Sequence, residues 1–299
     1  MLIIGSRGSP LALAQTEWVR KRIVAQASIK VIRTSADKDT RTSIRSASSV
    51  GVFVKELEEA LLSEEIDLAV HSMKDMPSRT PDGLEITAVP VREDPHDALV
   101  TKTKARSIQE LPPGAIVGTG SVRRQSQLLG LRPDLRVLDT RGNVQTRLQK
   151  LDAGGYDALI LACAGLNRLG LQAGISARLD FREMLPAPGQ GALALEIRKG
   201  DKNAASAVAT LHHASTAVAV GAERAFLRRV GGGCNSPVAV HACIEKGMIK
   251  IEGLVASPDG SNMIRESVLE VAEQAEEAAT ALAEKILSLG GREIIRSLR

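Results

Sequence analysis

The chemistry of this chain is densest at His71-Ser72-Met73-Lys74-Asp75-Met76-Pro77. A cation and a carboxylate stand side by side there, directly after the short apolar run 66–70, and Pro77 stops the run. In α/β folds ligands bind at the carboxyl ends of strands. An ammonium in that place can hold an anion, and a carboxylate can stabilise a developing cation. The plainer reading is a solvated ion pair at an ordinary strand end. A second reactive candidate is Cys234, which follows Gly231-Gly232-Gly233 and precedes Asn235-Ser236-Pro237. That setting predicts a tight exposed turn, where glycines let a ligand approach the backbone closely. It also fits a plain surface cysteine, and no histidine can be assigned to it as a base from spacing. No metal site is expected, because His212, His213, His241 and Cys243 lack zinc-ligand spacing. Phosphate-loop, dinucleotide-fingerprint and nucleophile-elbow motifs are missing as well.

The elements that must position these groups recur in a simple form. A strand over 1–4 leads to Arg7 and Ser9, and then to a helix over 11–25 with Pro10 at its first turn. A strand at 29–33, a helix over 53–65 and the strand 66–70 complete a β-α-β-α-β pattern, which predicts a parallel, doubly wound sheet. Strands at 84–89 and 97–101 follow, and the pattern then restarts. The strand 115–117 leads to Thr119, Ser121, Arg123 and Arg124; the strand 135–138 leads to Arg141, Asn143 and Arg147; the strand 158–161 leads to Arg168. In each case small residues end the strand and an arginine is expected at or just inside a helix start. Unpaired N–H groups and the helix dipole favour anions there, so the repetition predicts a cleft for several carboxylates or phosphates. After Pro186-Ala187-Pro188-Gly189-Gln190-Gly191, read as a hinge, come a strand at 192–197, helix over 203–230 broken near Ala214, three strands and a helix over 272–289 ended by Gly290-Gly291. The polar stretch 35–49, with Lys38, Arg41 and Arg45, is expected to be a mobile loop.

Composition narrows the partners. The 299 residues are 43% hydrophobic, 25% charged and only 2% aromatic, with a net charge of +4. Few aromatics argue against single-stranded nucleic acid, which needs stacking platforms, and scattered cations suit small anions better than a nucleic-acid track. No apolar run is long enough for a membrane span, and no signal peptide is read at the N-terminus. Three irregularly spaced cysteines do not make a disulfide framework. A cytoplasmic protein is expected.

Together these stretches resemble the porphobilinogen deaminase (hydroxymethylbilane synthase) family. The resemblance is carried by Ser6-Arg7-Gly8-Ser9-Pro10-Leu11-Ala12-Leu13, Phe53-Val54-Lys55-Glu56-Leu57-Glu58, the run from Ala69 to Pro77, and Arg92-Glu93-Asp94-Pro95. It continues through Ser121-Val122-Arg123-Arg124-Gln125, Arg141-Gly142-Asn143-Val144, Pro188-Gly189-Gln190-Gly191-Ala192 and Gly232-Gly233-Cys234, in the family's order. It implies an α/β fold of two doubly wound lobes resembling periplasmic binding proteins, plus a small C-terminal α+β domain. Domain 1 would comprise 1–93 and 191–212, domain 2 97–187 and domain 3 215–299. It implies a transferase of tetrapyrrole biosynthesis that joins four porphobilinogen molecules head to tail, releases four ammonia molecules, and frees linear hydroxymethylbilane with water. The chain would grow on a dipyrromethane cofactor held by a thioether to Cys234. Asp75 would be the catalytic carboxylate. Lys74, Asp75, Ser72, Thr119, Ser121, Arg123 and Arg124 would hold the cofactor, and Arg7, Ser9, Arg141, Asn143, Arg147 and Arg168 the substrate or growing chain. A monomer is expected on the same ground. Three departures stand out: Val50 replaces a common lysine, Gly120 a common serine, and Asn235-Ser236 a common Gln-Val. The competing class is a non-catalytic, two-lobed anion-binding protein, which would use the same arginines without needing Asp75 or Cys234.

Overall fold

Strand β1 (Leu2–Arg7) opens a mixed sheet in a computed structural model that describes residues 1–32, 54–103, 105–231 and 236–298. The stretch 35–49, Val50 and Cys234 lie outside the described residues. The chain divides into two compact units, Met1–Glu93 with Gly191–Ala217, and Asp94–Gln190 with Val218–Arg299.

In the first unit, β2 is Ala27–Ile32, β3 Leu68–Ser72, β4 Leu84–Ala88 and β10 Leu193–Arg198, in the order β2-β1-β3-β10-β4. All run parallel except β10, which is antiparallel to β3 and β4. The β-α-β-α-β reading predicts a parallel sheet; the observed sheet is mixed, because its fourth strand enters from a distant part of the chain. Helices α1 (Pro10–Arg20) and α2 (Lys55–Leu62) cover opposite faces. Leu68 and Val70 pack with Ile4 and Val19 on the α1 side, while Ala69 packs with Leu57 and Leu61 on the α2 side. Both faces being covered explains why β3 reads as a continuous apolar run.

The second unit repeats that strand order with β5 (Asp97–Thr101), β6 (Ile116–Gly118), β7 (Arg136–Leu138), β8 (Ala158–Ala162) and β9 (Ala177–Arg178), arranged β7-β6-β8-β5-β9. Here β5 is the antiparallel strand. Its helices are α3 (Val122–Leu131), α4 (Val144–Asp152) and α5 (Cys163–Arg168). The remainder is a three-stranded antiparallel sheet, β11 (Val238–Glu245), β12 (Met248–Ala256) and β13 (Met263–Val271). After α6 (Lys202–Val208), α7 (Ala214–Val230) and α8 (Ala275–Ile286) supply its core, with Phe226, Leu282 and Ile286 fully or almost fully buried on Val240, Ile249 and Ile251. The chain breaks at 209–213, as the sequence suggests. Gly290, at φ +113, turns it after α8, but a further helix, α9 (Arg292–Arg296), follows; five residues are too few to show a period.

Candidate active site

Asp75 ends a single 3₁₀ turn, Met73–Asp75, that follows β3 without a break. The turn is fastened at both ends: Met73 N–H donates to the Ala192 carbonyl at 3.0 Å, and Met76 N–H to the Met73 carbonyl at 3.1 Å. Met73 and Met76 are buried, so Lys74 and Asp75 are left half-buried at the carboxyl edge of the sheet. Ser72 exchanges hydrogen bonds with the buried side chain of Gln15, at 2.9 and 3.2 Å. Behind the turn His71 Nε2 lies 3.0 Å from Glu196 Oε2, both buried.

Three residues expected to touch ligand prove to be helix caps. Ser9 Oγ accepts from Ala12 N–H at 3.3 Å, Ser121 Oγ from Arg124 N–H at 3.4 Å, and Asn143 Oδ1 from Thr146 N–H at 2.9 Å. Each stands where a strand gives way to a helix, so it satisfies one orphan N–H and leaves others directed outward. Arg7 is the last residue of β1, not part of the loop beyond it. Thr119 is fully buried and accepts from Ser121 N–H at 3.2 Å, so it supports the cap from beneath. Arg141 pairs with Asp139 at 3.2 Å, and Arg147 Nε donates to the Gly142 carbonyl at 2.9 Å. Arg168 departs from the expectation. It is the last residue of α5, a helix of six residues, and so lies at the negative end of the dipole, not at a helix start. At Gly120 a Cβ would stand 2.9 Å from Asp139 Oδ1 and 3.3 Å from the Thr140 carbonyl, so the serine common in the family would press on the Asp139–Arg141 pair here.

Arg123 and Arg124 are only 4% and 6% exposed and converge on one carboxylate, Asp97, which is fully buried. Arg123 NH1 lies 2.8 Å from Asp97 Oδ2 and donates to the Leu185 carbonyl at 2.7 Å. Arg124 gives Asp97 Oδ1 two bonds, at 3.0 and 2.7 Å, and a third to the Ile160 carbonyl. Gln190 Nε2 adds another bond to Asp97 Oδ1 at 3.0 Å. Burial pushes the Asp97 carboxyl up, but the two guanidinium groups outweigh it and hold it well below the usual carboxylate range. Burial in turn pulls Arg123 down, with Asp97 opposing. The cluster keeps one surplus positive charge in a buried place, and Arg123 Nε finds no hydrogen-bond acceptor among the described residues. An acceptor with negative charge is what such a site lacks. A dipyrromethane side-chain carboxylate fits this donor set.

Sequence reasoning missed Asp97 and Gln190, although a signal existed. An aspartate opening the wholly buried strand Asp97-Ala98-Leu99-Val100 requires a buried cation. Of the other cysteines, Cys163 is 1% exposed, and burial, with Asp94 and Asp97 nearby, pushes its thiol up to about 12. Cys243 is half-buried on β11. Among the described residues there is no group of His, Cys, Asp and Glu that could hold a metal ion.

Comparison with known proteins agrees with these features. Residues 2–206 match the family model "Porphobilinogen deaminase, dipyromethane cofactor binding domain", and 217–288 match "Porphobilinogen deaminase, C-terminal domain". A porphobilinogen deaminase of Thermus thermophilus is 48% identical over 305 residues, covering 100% of this chain and 99% of that protein. One from Syntrophotalea carbinolica is 47% identical over 302 residues, covering 99% and 96%. Among solved structures, an ABC transporter protein from Parabacteroides distasonis matches at a TM-score of 0.42 with 15% identity, covering 77% of this chain and 74% of that one. The sequence relationship runs almost the whole length of both relatives, and the chain belongs to the porphobilinogen deaminase family.

Proposed function

We propose that, in the family's reaction, Asp75 stabilises the cation that forms as ammonia leaves porphobilinogen, and that Cys234 carries the cofactor through a thioether. The reaction is the deaminative joining of four porphobilinogen molecules to hydroxymethylbilane, a transferase step of tetrapyrrole biosynthesis. When bound, dipyrromethane supplies the pyrrole end on which the chain is extended. Ser121, Arg123 and Arg124 hold its carboxylates, with Thr119 acting through Ser121; Lys74 and Ser72 keep a cofactor role on the family resemblance. Arg7, Ser9, Arg141, Asn143 and Arg147 hold incoming substrate and the growing chain. Arg168 retains a substrate role on the family resemblance alone.

The observation that carries this reading is the surplus buried charge at Arg123, Arg124 and Asp97. Each charge-assisted bond to a carboxylate there contributes about 1.5–3 kcal/mol. Asp75 has the other half of the requirement: a carboxylate on a fastened turn stabilises charge without reorganising when it appears. A non-catalytic anion-binding protein, the competing reading, is not favoured by the full-length family match. No helix among the described residues is long and apolar enough to cross a membrane. We read the protein as a cytoplasmic monomer whose partner is the small molecule porphobilinogen.

Intact-mass measurement on the purified chain is the test. The expected result is an added mass of two pyrrole units that disappears in Cys234→Ser. An unmodified mass in fully active protein would refute the attachment.

A further inference from the structure

The turn between β12 and β13, residues 257–262, makes main-chain contact with α3, the helix whose first turn carries Arg123 and Arg124. Gly260 lies against the Ser126 carbonyl oxygen and the Gly130 amide nitrogen, so closely that a Cβ on Gly260 would overlap both. From the other side, a Cβ on Gly130 would stand 3.2 Å from the Gly260 carbonyl oxygen and 2.9 Å from Met263 Cε. Gln125 Nε2 adds a bond to the Pro258 carbonyl at 3.3 Å. The turn itself is stiff. Gly260 N–H donates to the Ser257 carbonyl at 2.9 Å, Ser257 N–H to the Asn262 carbonyl at 2.8 Å, and Asp259 accepts from Ser261 N–H at 3.1 Å. A second anchor lies just beyond it, where Arg265 donates to the Phe181 and Arg182 carbonyls at 2.8 and 2.9 Å.

This turn stands at one particular end of the small sheet. Val238, the first residue of β11, pairs with Val255, and Ala256 N–H donates to the Pro237 carbonyl at 3.1 Å. Pro237 is three residues after Cys234 in sequence. The strand that follows the cysteine is thus bonded to the residue from which the turn springs, and the turn rests on the arginine helix. Gly130 lies nine residues after Ser121, the cap of α3, about 13.5 Å at the α-helical rise.

We propose that the Gly130–Gly260 contact is a positioning device of the reaction. It sets the spacing between the covalent anchor of the cofactor and the arginines that hold its carboxylates. The proposal rests on the assignment of those roles to Cys234, Arg123 and Arg124. A ligand held at both ends binds well only if the two ends match its length. Neither obstacle to a Cβ at Gly260 can move aside, because both belong to the backbone of a hydrogen-bonded helix. A side chain there must lift the whole turn.

The test compares Gly260→Ala with Gly247→Ala. Gly260 has φ +72 and Gly247 has φ +78, so alanine meets the same backbone strain at both, but nothing among the described residues lies within 4 Å of a Cβ at Gly247. Each variant is measured for melting temperature, for the fraction carrying the added pyrrole mass, and for kcat and KM. Gly247→Ala is expected to load fully and turn over as wild type. Gly260→Ala, assayed well below its own melting temperature, is expected to load incompletely, with kcat in the loaded fraction lower by about 10- to 100-fold at unchanged KM, the scale of an ångström misplacement. Gly130→Ala decides the matter if Gly260→Ala does not fold. Gly130 lies inside a helix, where alanine is favoured over glycine, so lower loading in that variant reports the contact and not helix strength. If folded Gly260→Ala and Gly130→Ala load and turn over like Gly247→Ala, the contact is packing only and the proposal fails. An unmodified wild-type mass would overturn the cofactor assignment itself, and this proposal with it.

Discussion

Asp97→Asn isolates the charge that holds the arginine cluster together. Asparagine has nearly the shape of aspartate, so packing survives while the countercharge for two guanidinium groups, 4% and 6% exposed, is lost. Removing one partner of a buried ionic cluster costs about 3–5 kcal/mol, and for a unit of this size that lowers the melting temperature by ~6–20 °C. The measurement is calorimetry in a Cys234→Ser background, where no cofactor carboxylate can compensate. In cofactor-loaded protein the loss should be smaller, because bound carboxylates replace part of the missing charge. The pH dependence follows from the lowered carboxyl. Asp97 contributes its full stability above its ordinary value of 3.8 and loses it as pH falls below that toward the lowered folded value. The gap between wild type and Asp97→Asn should therefore be constant at neutral pH and shrink in strong acid. A loss below about 1 kcal/mol at neutral pH, too small for an uncompensated buried charge, would show that the arginines do not depend on Asp97.

Other variants divide the proposed roles. Asp75→Asn should keep fold and cofactor but lose about 10²–10³ in rate; steady-state assay showing more than a tenth of wild-type turnover would contradict the catalytic assignment. Cys234→Ser should be soluble, inactive and unmodified by mass spectrometry, since a serine hydroxyl is a much weaker nucleophile at neutral pH, whereas Cys163→Ser and Cys243→Ser should keep the cofactor. Arg123→Leu and Arg124→Leu should impair cofactor loading, and Arg124→Leu should also destabilise more, because Arg124 makes two bonds to Asp97 and one to Ile160. Arg141→Leu and Arg147→Leu should leave loading intact and slow elongation; normal loading and kinetics in both Arg123 and Arg124 variants would refute the division.

The strand-loop-helix units were legible because each states itself locally. Asp97-Ala98-Leu99-Val100-Thr101 is continuous and apolar after its first residue, and Pro10 behind Ser9 marks a helix start. What the sequence could not reveal is which side chains serve the fold. Ser9, Ser121 and Asn143 look like ligands in a list of polar residues, yet each first closes a helix end. Arg123 and Arg124 read as two open cations until Asp97, some 26 residues earlier in the chain, is brought beneath them. The antiparallel course of β10 depends on a long-range crossover, which leaves no mark on its own buried run of residues. Arg168 was misplaced because six residues of helix put its end where its beginning was expected.

The shared strand order has a consequence for how the chain is made. The sheet holding β5 to β9 is encoded within Asp97–Arg178, so all its strands have been synthesised before β10 begins. The sheet that carries Asp75 must wait for Leu193–Arg198 to separate and bridge β3 and β4. At about 5–20 residues per second, its first four strands spend several seconds with β3 and β4 as unpaired edges. The sheet encoded first is thus completed last, and during that interval β4 and the strand leading to Asp75 are open to pairing with another chain.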